Sequence, residues 1–266
     1  MAVTVTVLGS GSKGNSTVVS TSKTSILVDA GFSCRETFRR MKQAGLAPED
    51  LDAIVISHEH ADHVYGVYVL ARKLDVPVFM TAATHHMWWR SIRDRYDGQH
   101  LHRLETFSAG HAFQIGDLEV MPFTIPHDAV DPTGFAFRAE GVKMALVTDL
   151  GYLPENVKYY VKGSDCLIIE SNHDLEMLRT GPYPWAVKQR VLSKKGHLSN
   201  DTLAEFFCND YDGNAAFVVL AHLSEQNNHP EIAREAAEKA LRGRLDLLRN
   251  RLLLATQDKP LETIHF

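Results

Sequence analysis

Three observations predict an α/β fold for this sequence. Short apolar, β-branched runs such as LDAIVI, KMALVTD, DCLIIE and AAFVVLA recur along the chain and read as buried strands. Stretches with helical apolar spacing lie between several of them. Four of the apolar runs end directly in carboxylates or histidines. The C-terminal ends of strands are where α/β folds usually place their chemistry.

VTVTVLGS, from Val3 to Ser10, reads as the first strand. It enters GSGSKGNS, Gly9 to Ser16, which is too rich in Gly and Ser for regular structure. This is either a plain turn or a loop that offers N–H groups and the hydroxyls of Ser10, Ser12 and Ser16 to an anion. It matches neither the Walker A nor the dinucleotide pattern. STVVS and TSILVDAG read as paired strands joined by a turn near Thr21 to Lys23. A helix is expected from Cys34 to Ala44, with Phe38 and Met41 inward and Arg35, Arg39, Arg40 and Lys42 outward. AGLAPEDL stops it.

The stretch SHEHADH, Ser57 to His63, follows the LDAIVI strand. It places His58, His60, Asp62 and His63 within six residues. On extended chain His58 and His60 point the same way. Imidazoles with a carboxylate form a hard, N/O-rich metal site. The helical zinc-protease pattern does not apply, because the residue four after His58 is Asp62.

A helix is expected from about His63 to Leu74, with Val67, Leu70, Ala71 and Leu74 on one face. VPVFMT is the next strand. The helix from Ala82 to Arg95 carries His85, His86, Trp88, Trp89, Arg90 and Arg93. Core tryptophans on an amphipathic helix are the preferred reading there, ahead of a base-stacking surface. LHRLETF, HAFQIG, LEVMPFTIP, GFAFRAEG and KMALVTD supply short strands. His127 ends the long apolar run among them and is preferred as a further metal ligand over His111, which sits where a short strand begins. Asp149 closes KMALVTD as a candidate metal bridge, with an N-cap for a helix near Pro154 as the alternative.

DCLIIESNHD ends in Glu170, Asn172 and His173. A helical stretch from Trp185 to Leu192 leads to His197, which precedes a helix from Asp201 to Asp210. AAFVVLA delivers His222. Pro230 opens a helix at N1, with Ile232, Ala233, Ala236, Ala237, Ala240 and Leu241 inward. RLLLAT is the last strand.

Composition bounds the function. A chain of 266 residues with 44% hydrophobic and 23% charged content suits a globular protein with a sizeable core, and residues 1–266 are expected to form one domain. No signal-peptide or membrane-spanning run is visible, so a cytoplasmic enzyme is expected. Cys34, Cys166 and Cys208 form no CxxC pair, which argues against a thiolate zinc site or a disulfide framework. A net charge of −5 argues against a general nucleic-acid coater, but not against an enzyme with local or metal-supplied positive charge.

HEHADH, then His127, Asp149 and His222 each after a strand, resembles the metallo-β-lactamase superfamily across the whole chain. The resemblance implies a four-layer αββα sandwich with metals at one edge of two facing mixed sheets. It implies that His58, His60 and His127 hold one ion, that Asp62, His63 and His222 hold the other, and that Asp149 bridges them. Lactamases of the superfamily commonly replace some of these ligands and keep a cysteine or other residue at the bridge. An aspartate there is shared with the nuclease and thioester-hydrolase branches. Glu170, His197 and His222 resemble successive motifs of the RNase Z group, in which the Glu and the non-ligand His form a proton-handling pair. His173 has no counterpart. GSGSKGNS, DAG, SHEHADH, ESNHD and GHLSN together are similar to the small YycJ/WalJ-type proteins, a branch of bacterial exonucleases. A chain of 266 residues has no room for the RNase Z exosite arm or for an inserted β-CASP domain, which argues against tRNA 3′ processing and an RNase J-like enzyme.

The expected chemistry follows. Two divalent ions roughly 3.5–4 Å apart share one water, lower its pKa and clamp the oxygens of an in-line displacement. An N/O ligand set suits Zn²⁺ or Mn²⁺. Asp62 is expected to orient the metal-bound hydroxide as well as ligate. His197, held by Glu170, is expected to protonate the leaving alkoxide. Lys188, Arg190, Lys194 and Lys195 read as a solvated helix face before a phosphate track. The leading expectation is a phosphodiesterase on nucleic acid, specifically a DNA exonuclease. The rivals are a glyoxalase II-like thioester hydrolase and a non-catalytic metal-binding partner.

Overall fold

A strand covered on both faces must be apolar on both, so it reads as a continuous run rather than an alternation. The computed structural model, which describes residues 3–242 and 251–266, is built on such strands. β1 (Thr4–Gly9), β2 (Ser16–Ser20), β3 (Ser25–Val28), β4 (Ala53–Val55), β5 (Val78–Thr81) and β6 (Leu104–Phe107) follow one another across the first sheet. β7 (Phe113–Ile115), β8 (Leu118–Thr124), β9 (Thr133–Ala139), β10 (Val142–Val147), β11 (Cys166–Glu170), β12 (Phe217–Ala221) and β13 (Arg251–Leu254) form the second. β14 (Ile264–His265) returns to the first sheet beside β1. Both sheets are mixed: β3 to β6 and β10 to β13 are parallel, and the hairpins are antiparallel.

Period-2 geometry sorts the side chains into layers. Ile26, Val28 and Val55 point between the sheets and meet Phe135, Leu146, Ile168 and Val219. Their neighbours Leu27 and Ile54 point outward. There they are covered by Met41 of α1 (Cys34–Gln43), Leu70 of α3 (Val67–Leu74) and Trp88 of α4 (Ala82–Ile92). On the other flank Val147, Ile169 and Leu220 meet Val157 of α5 (Glu155–Val161), Phe207 of α8 (Asn200–Asn209) and Ala237 of α9 (Pro230–Leu241). The result is the expected αββα sandwich. Trp88 is a core side chain, as the composition of its helix suggested.

Several elements differ from the sequence reading. The helix expected from His63 to Leu74 is two, α2 (Ala61–Val64) and α3, because the Gly66 N–H, though its backbone stays helical, donates to Ala30 O at 2.8 Å instead of to the preceding turn. Asp62 and His63 both sit on the helical turn of α2, which begins two residues before the expected start. Arg40 is buried, not outward: Nη1 donates to Leu8 O at 2.9 Å and Gln257 O at 2.8 Å, and Nε donates to Glu36 at 2.7 Å. The inward stripe of α9 is Ala233, Ala237 and Leu241, four residues apart, which turns Ile232 to solvent. The helix expected to reach Arg95 ends at Ile92 and continues as a 3-10 turn. α6 (Leu175–Thr180) and β14 were not anticipated. α7 (Trp185–Val191) falls where expected. No helix among the described residues is long and apolar enough to cross a membrane.

Candidate metal centre

The sandwich brings strand ends from both sheets to one edge. β3 ends at Asp29, β4 leads to His58–His63, β8 to His127, β10 to Asp149, β11 to Glu170 and β12 to His222. Asp29, Asp149 and His222 have positive φ, at 59°, 63° and 54°. Left-handed backbone is uncommon for residues other than glycine and costs on the order of 1–3 kcal/mol each. Here it turns three side chains out of their strands toward one point.

His58, His60 and His127 form one cluster of facing donor atoms, and Asp62, His63 and His222 form another. Asp149 lies between them: Oδ2 is 3.3 Å from His63 Nε2, Oδ1 is 3.2 Å from His222 Nδ1, and Oδ1 is 4.0 Å from His127 Nε2. The His58 and His60 rings meet edge to face, with centroids 4.7 Å apart. Asp149 does not cap α5; Pro154 holds that position. His111 is exposed at the turn before β7 and is absent from these clusters.

The outer nitrogen of most of these rings is tied to the fold, which fixes the tautomer. His63 Nδ1 donates to Asp29 at 2.8 Å. His222 Nδ1 donates to Glu170 at 2.7 Å. His127 Nδ1 donates to Gly196 O at 3.3 Å, and His58 Nδ1 donates to Ser57 Oγ at 2.9 Å. In each case Nε2 is the nitrogen turned to the interior. His60 is turned the other way, with Nδ1 3.2 Å from His127 Nε2 and Nε2 3.8 Å from Asp128.

The donor set fits divalent cations. His58 Nε2, His222 Nε2 and Asp149 Oδ2 are buried and have no hydrogen-bond partner. A buried acceptor left unpaired costs about 1–3 kcal/mol, so three together call for a ligand that protein groups do not supply. Electrostatics point the same way. Burial pushes the pKa of His58 and His127 down, which keeps those rings neutral and ready to ligate. Burial also opposes charge on His63 and His222, but the surrounding carboxylates, Asp149 first, outweigh it and raise both well above the usual imidazole value. Burial would lift Asp149 and Asp62, yet the neighbouring imidazoles hold both carboxyls well below the usual range. The negative field of Asp149 and Asp62 that favours protons on His63 and His222 also favours a metal cation between them. The fold together with these His/Asp clusters supports divalent-metal binding.

Glu170 is fully buried and fully used. Oε1 accepts from His197 Nδ1 at 2.9 Å and His222 Nδ1 at 2.7 Å, while Oε2 accepts from Leu150 N and Leu198 N, both at 3.0 Å. Burial alone would raise its pKa, but His197 and His222 lower it to about 2, so it stays ionised. His197 is partly exposed and faces both clusters, with its ring 5.3 Å from His127 and 5.1 Å from His222. It is not a helix cap; Ser199 caps α8.

Other members of the site were missed in the sequence. Asp29 also accepts from Ser57 N at 2.8 Å and from Ser57 Oγ at 2.9 Å. Its signal was the DAG turn: a Cβ at Gly31 would lie 1.7 Å from Asp62 O, so only glycine lets the chain after β3 pass α2. Asn15, from the Gly-rich loop, lies 3.1 Å from His63 Nε2 and 3.3 Å from Asp62 Oδ2. Asp128 lies 3.4 Å from His127 Nε2 and is gripped by Arg190 through Nε and Nη2. That contact and the burial of Lys188, whose Nζ donates to Arg179 O at 2.7 Å, break up the expected solvated run; Lys194 and Lys195 remain exposed. His173 is buried outside both clusters.

Two mixed sheets facing each other between helices, with a His/Asp cluster at one edge, define a metallo-β-lactamase-type fold. Residues 24–223 match the Beta-lactamase superfamily domain, and the chain belongs to the metallo-β-lactamase superfamily, in its YycJ/WalJ branch. It is 39% identical to Exodeoxyribonuclease YycJ of Bacillus anthracis over 241 residues, 91% of this chain and 90% of that one. It is 39% identical to Exodeoxyribonuclease WalJ of Streptococcus pneumoniae serotype 2 over 228 residues, 85% and 84% of the two chains. Among solved structures the metallo-β-lactamase fold protein YhfI from Bacillus subtilis resembles it with a TM-score of 0.72 at 17% identity, covering 98% of this chain and 99% of that one.

Proposed function

We propose that this chain is a metal-dependent phosphodiesterase on nucleic acid, specifically a DNA exonuclease acting in the cytoplasm. His58, His60 and His127 would hold one divalent ion, Asp62, His63 and His222 a second, and Asp149 would stand between them; Zn²⁺ and Mn²⁺ both suit this N/O set. When bound, such ions activate water and neutralise charge on phosphoryl oxygens.

The chain's own residues supply the proton chemistry. Glu170, ionised and held by two backbone amides, accepts from His197 Nδ1. That leaves Nε2 to deliver a proton to the departing alkoxide, a transfer that typically contributes on the order of 10²–10⁴ in rate. Asp62 is the most accessible of the carboxylates in the two clusters and is held by Asn15, which suits it to orient the attacking water. The observation that carries this reading is the Glu170–His197 pair beside a cluster of orphaned ligand atoms. A thiolate leaving group needs no such acid, and this favours a phosphodiester over a thioester. The names of the 39% identical relatives support DNA as the substrate.

The test is release of nucleotides from end-labelled single- and double-stranded DNA, with and without chelator, beside hydrolysis of an acyl-glutathione. Chelator-sensitive digestion of DNA is expected. Thioester turnover without DNA digestion would replace this reading with the glyoxalase II-like one, and bound metal without turnover on either would make the protein a binding partner.

A further inference from the structure

A groove of about 420 Å³ opens beside Asp62, between the Gly-rich loop, the first turn of α1 and α2. Phe32, Lys13, Ser33 and Tyr65 line it, and the metal centre uses none of them. Packing and hydrogen bonds hold one wall in place. The Phe32 ring is clamped between the Arg40 guanidinium, 4.1 Å from the centroid, and Gly14, where a Cβ would lie 2.7 Å from the ring. Gln257 pins the loop by accepting from Lys13 N at 2.8 Å and donating to Gly14 O at 3.0 Å. The Lys13 ammonium rests on Glu225 at 2.7 Å, in a pair whose side chains are 70% and 44% exposed. Exposed pairs are worth at most about 1 kcal/mol, so a phosphate can take the place of Glu225. The groove's other carboxylate besides Asp62, Glu36, is neutralised by Arg39 and Arg40, each at 2.7 Å. Tyr65 is 60% exposed, and no aromatic ring among the described residues stacks on it.

On the reading that the centre cleaves nucleic acid, we propose that this groove holds one unpaired nucleotide next to the scissile phosphate. Its base stacks on Tyr65 and its outer phosphate meets Lys13. The volume lies low in the roughly 300–1,000 Å³ range of small-ligand sites, which suits a single nucleotide. Stacking on an aromatic face is sequence-tolerant because every base has one. The enzyme therefore engages a single strand or a frayed end, with no fixed base beside the cut.

The test is fluorescence anisotropy on the metal-loaded protein, with a short labelled mixed-sequence oligodeoxynucleotide carrying phosphorothioate linkages, beside its blunt duplex. Tyr65→Ala is expected to raise Kd for the single strand about 5- to 150-fold, the range that stacking energies of about 1–3 kcal/mol imply. Tyr65→Phe restores binding, and Lys13→Ala lowers the magnitude of the salt slope by about 0.7. Tyr159→Ala, an exposed tyrosine on α5, binds as wild type. The duplex binds at least tenfold more weakly than the strand. Unchanged affinity in Tyr65→Ala, or equal affinity for strand and duplex, overturns the groove while DNA cleavage stands. A wild-type protein that neither binds this strand nor digests the unmodified one overturns the phosphodiesterase reading and the groove with it.

Discussion

Glu170 Oε1 lies 2.9 Å from His197 Nδ1, and the same oxygen accepts from His222 at 2.7 Å. One buried carboxylate thus orients both a proposed metal ligand and the proposed acid. His197→Ala should keep its metals and lose about 10²- to 10⁴-fold in kcat on DNA. The loss should be far smaller on thymidine p-nitrophenyl phosphate, whose leaving group needs no proton. An unchanged DNA rate in a fully metallated His197→Ala would remove His197 from the chemistry.

His127 lies in a buried cluster of candidate ligands and His111 does not. His127 closes on His60 at 3.2 Å, while His111 is exposed before β7. Metal analysis should find two ions per wild-type chain, one lost in His127→Ala and none lost in His111→Ala. The reverse pattern would mean that the third ligand of the first ion was misassigned.

Among the described residues, the Asp29 carboxylate meets the centre through His63 and Ser57. Carboxylates in this position typically support metal affinity by 10–100-fold. Asp29→Asn should weaken metal binding by about that factor, read as the chelator concentration at which the protein is stripped. At saturating metal, activity should largely return, as expected of a residue that orients a ligand.

The legibility of this site in sequence follows the range of its interactions. His58, His60, Asp62 and His63 are close along the chain, so their spacing alone announced them. His127, Asp149 and His222 could be proposed because each ends an apolar strand, and strand ends gather in this fold. Asp29 ends a strand too, but its contacts to Ser57 and His63 cross from β3 to the segment after β4, and pairing across strands leaves no local signature. Arg40 misled for a similar reason: helical period set it outward, yet its long stem carries the guanidinium back to Leu8 O and Gln257 O. The break between α2 and α3 was equally invisible, since it depends on Gly66 meeting Ala30.

His173 carries a pH dependence that can be worked out in sign. Neither of its ring nitrogens has a hydrogen-bond partner, and burial first of all lowers its pKa to about 4. In the unfolded chain a histidine titrates near pKa ~6.5. Between these two values the unfolded state binds the extra proton and the folded state does not, so stability rises with pH across that window. The contribution is complete above about pH 6.5, is lost as pH falls toward about 4, and amounts to something on the order of 3 kcal/mol. His173→Phe keeps the ring volume and removes the titration. Its urea-denaturation midpoint should fall less steeply than that of the wild type between these pH values, with chelator present so that metal release does not enter. The slope is the readout, because an overall shift in stability would follow from repacking alone. Parallel slopes would show that His173 folds with its proton as readily as without it.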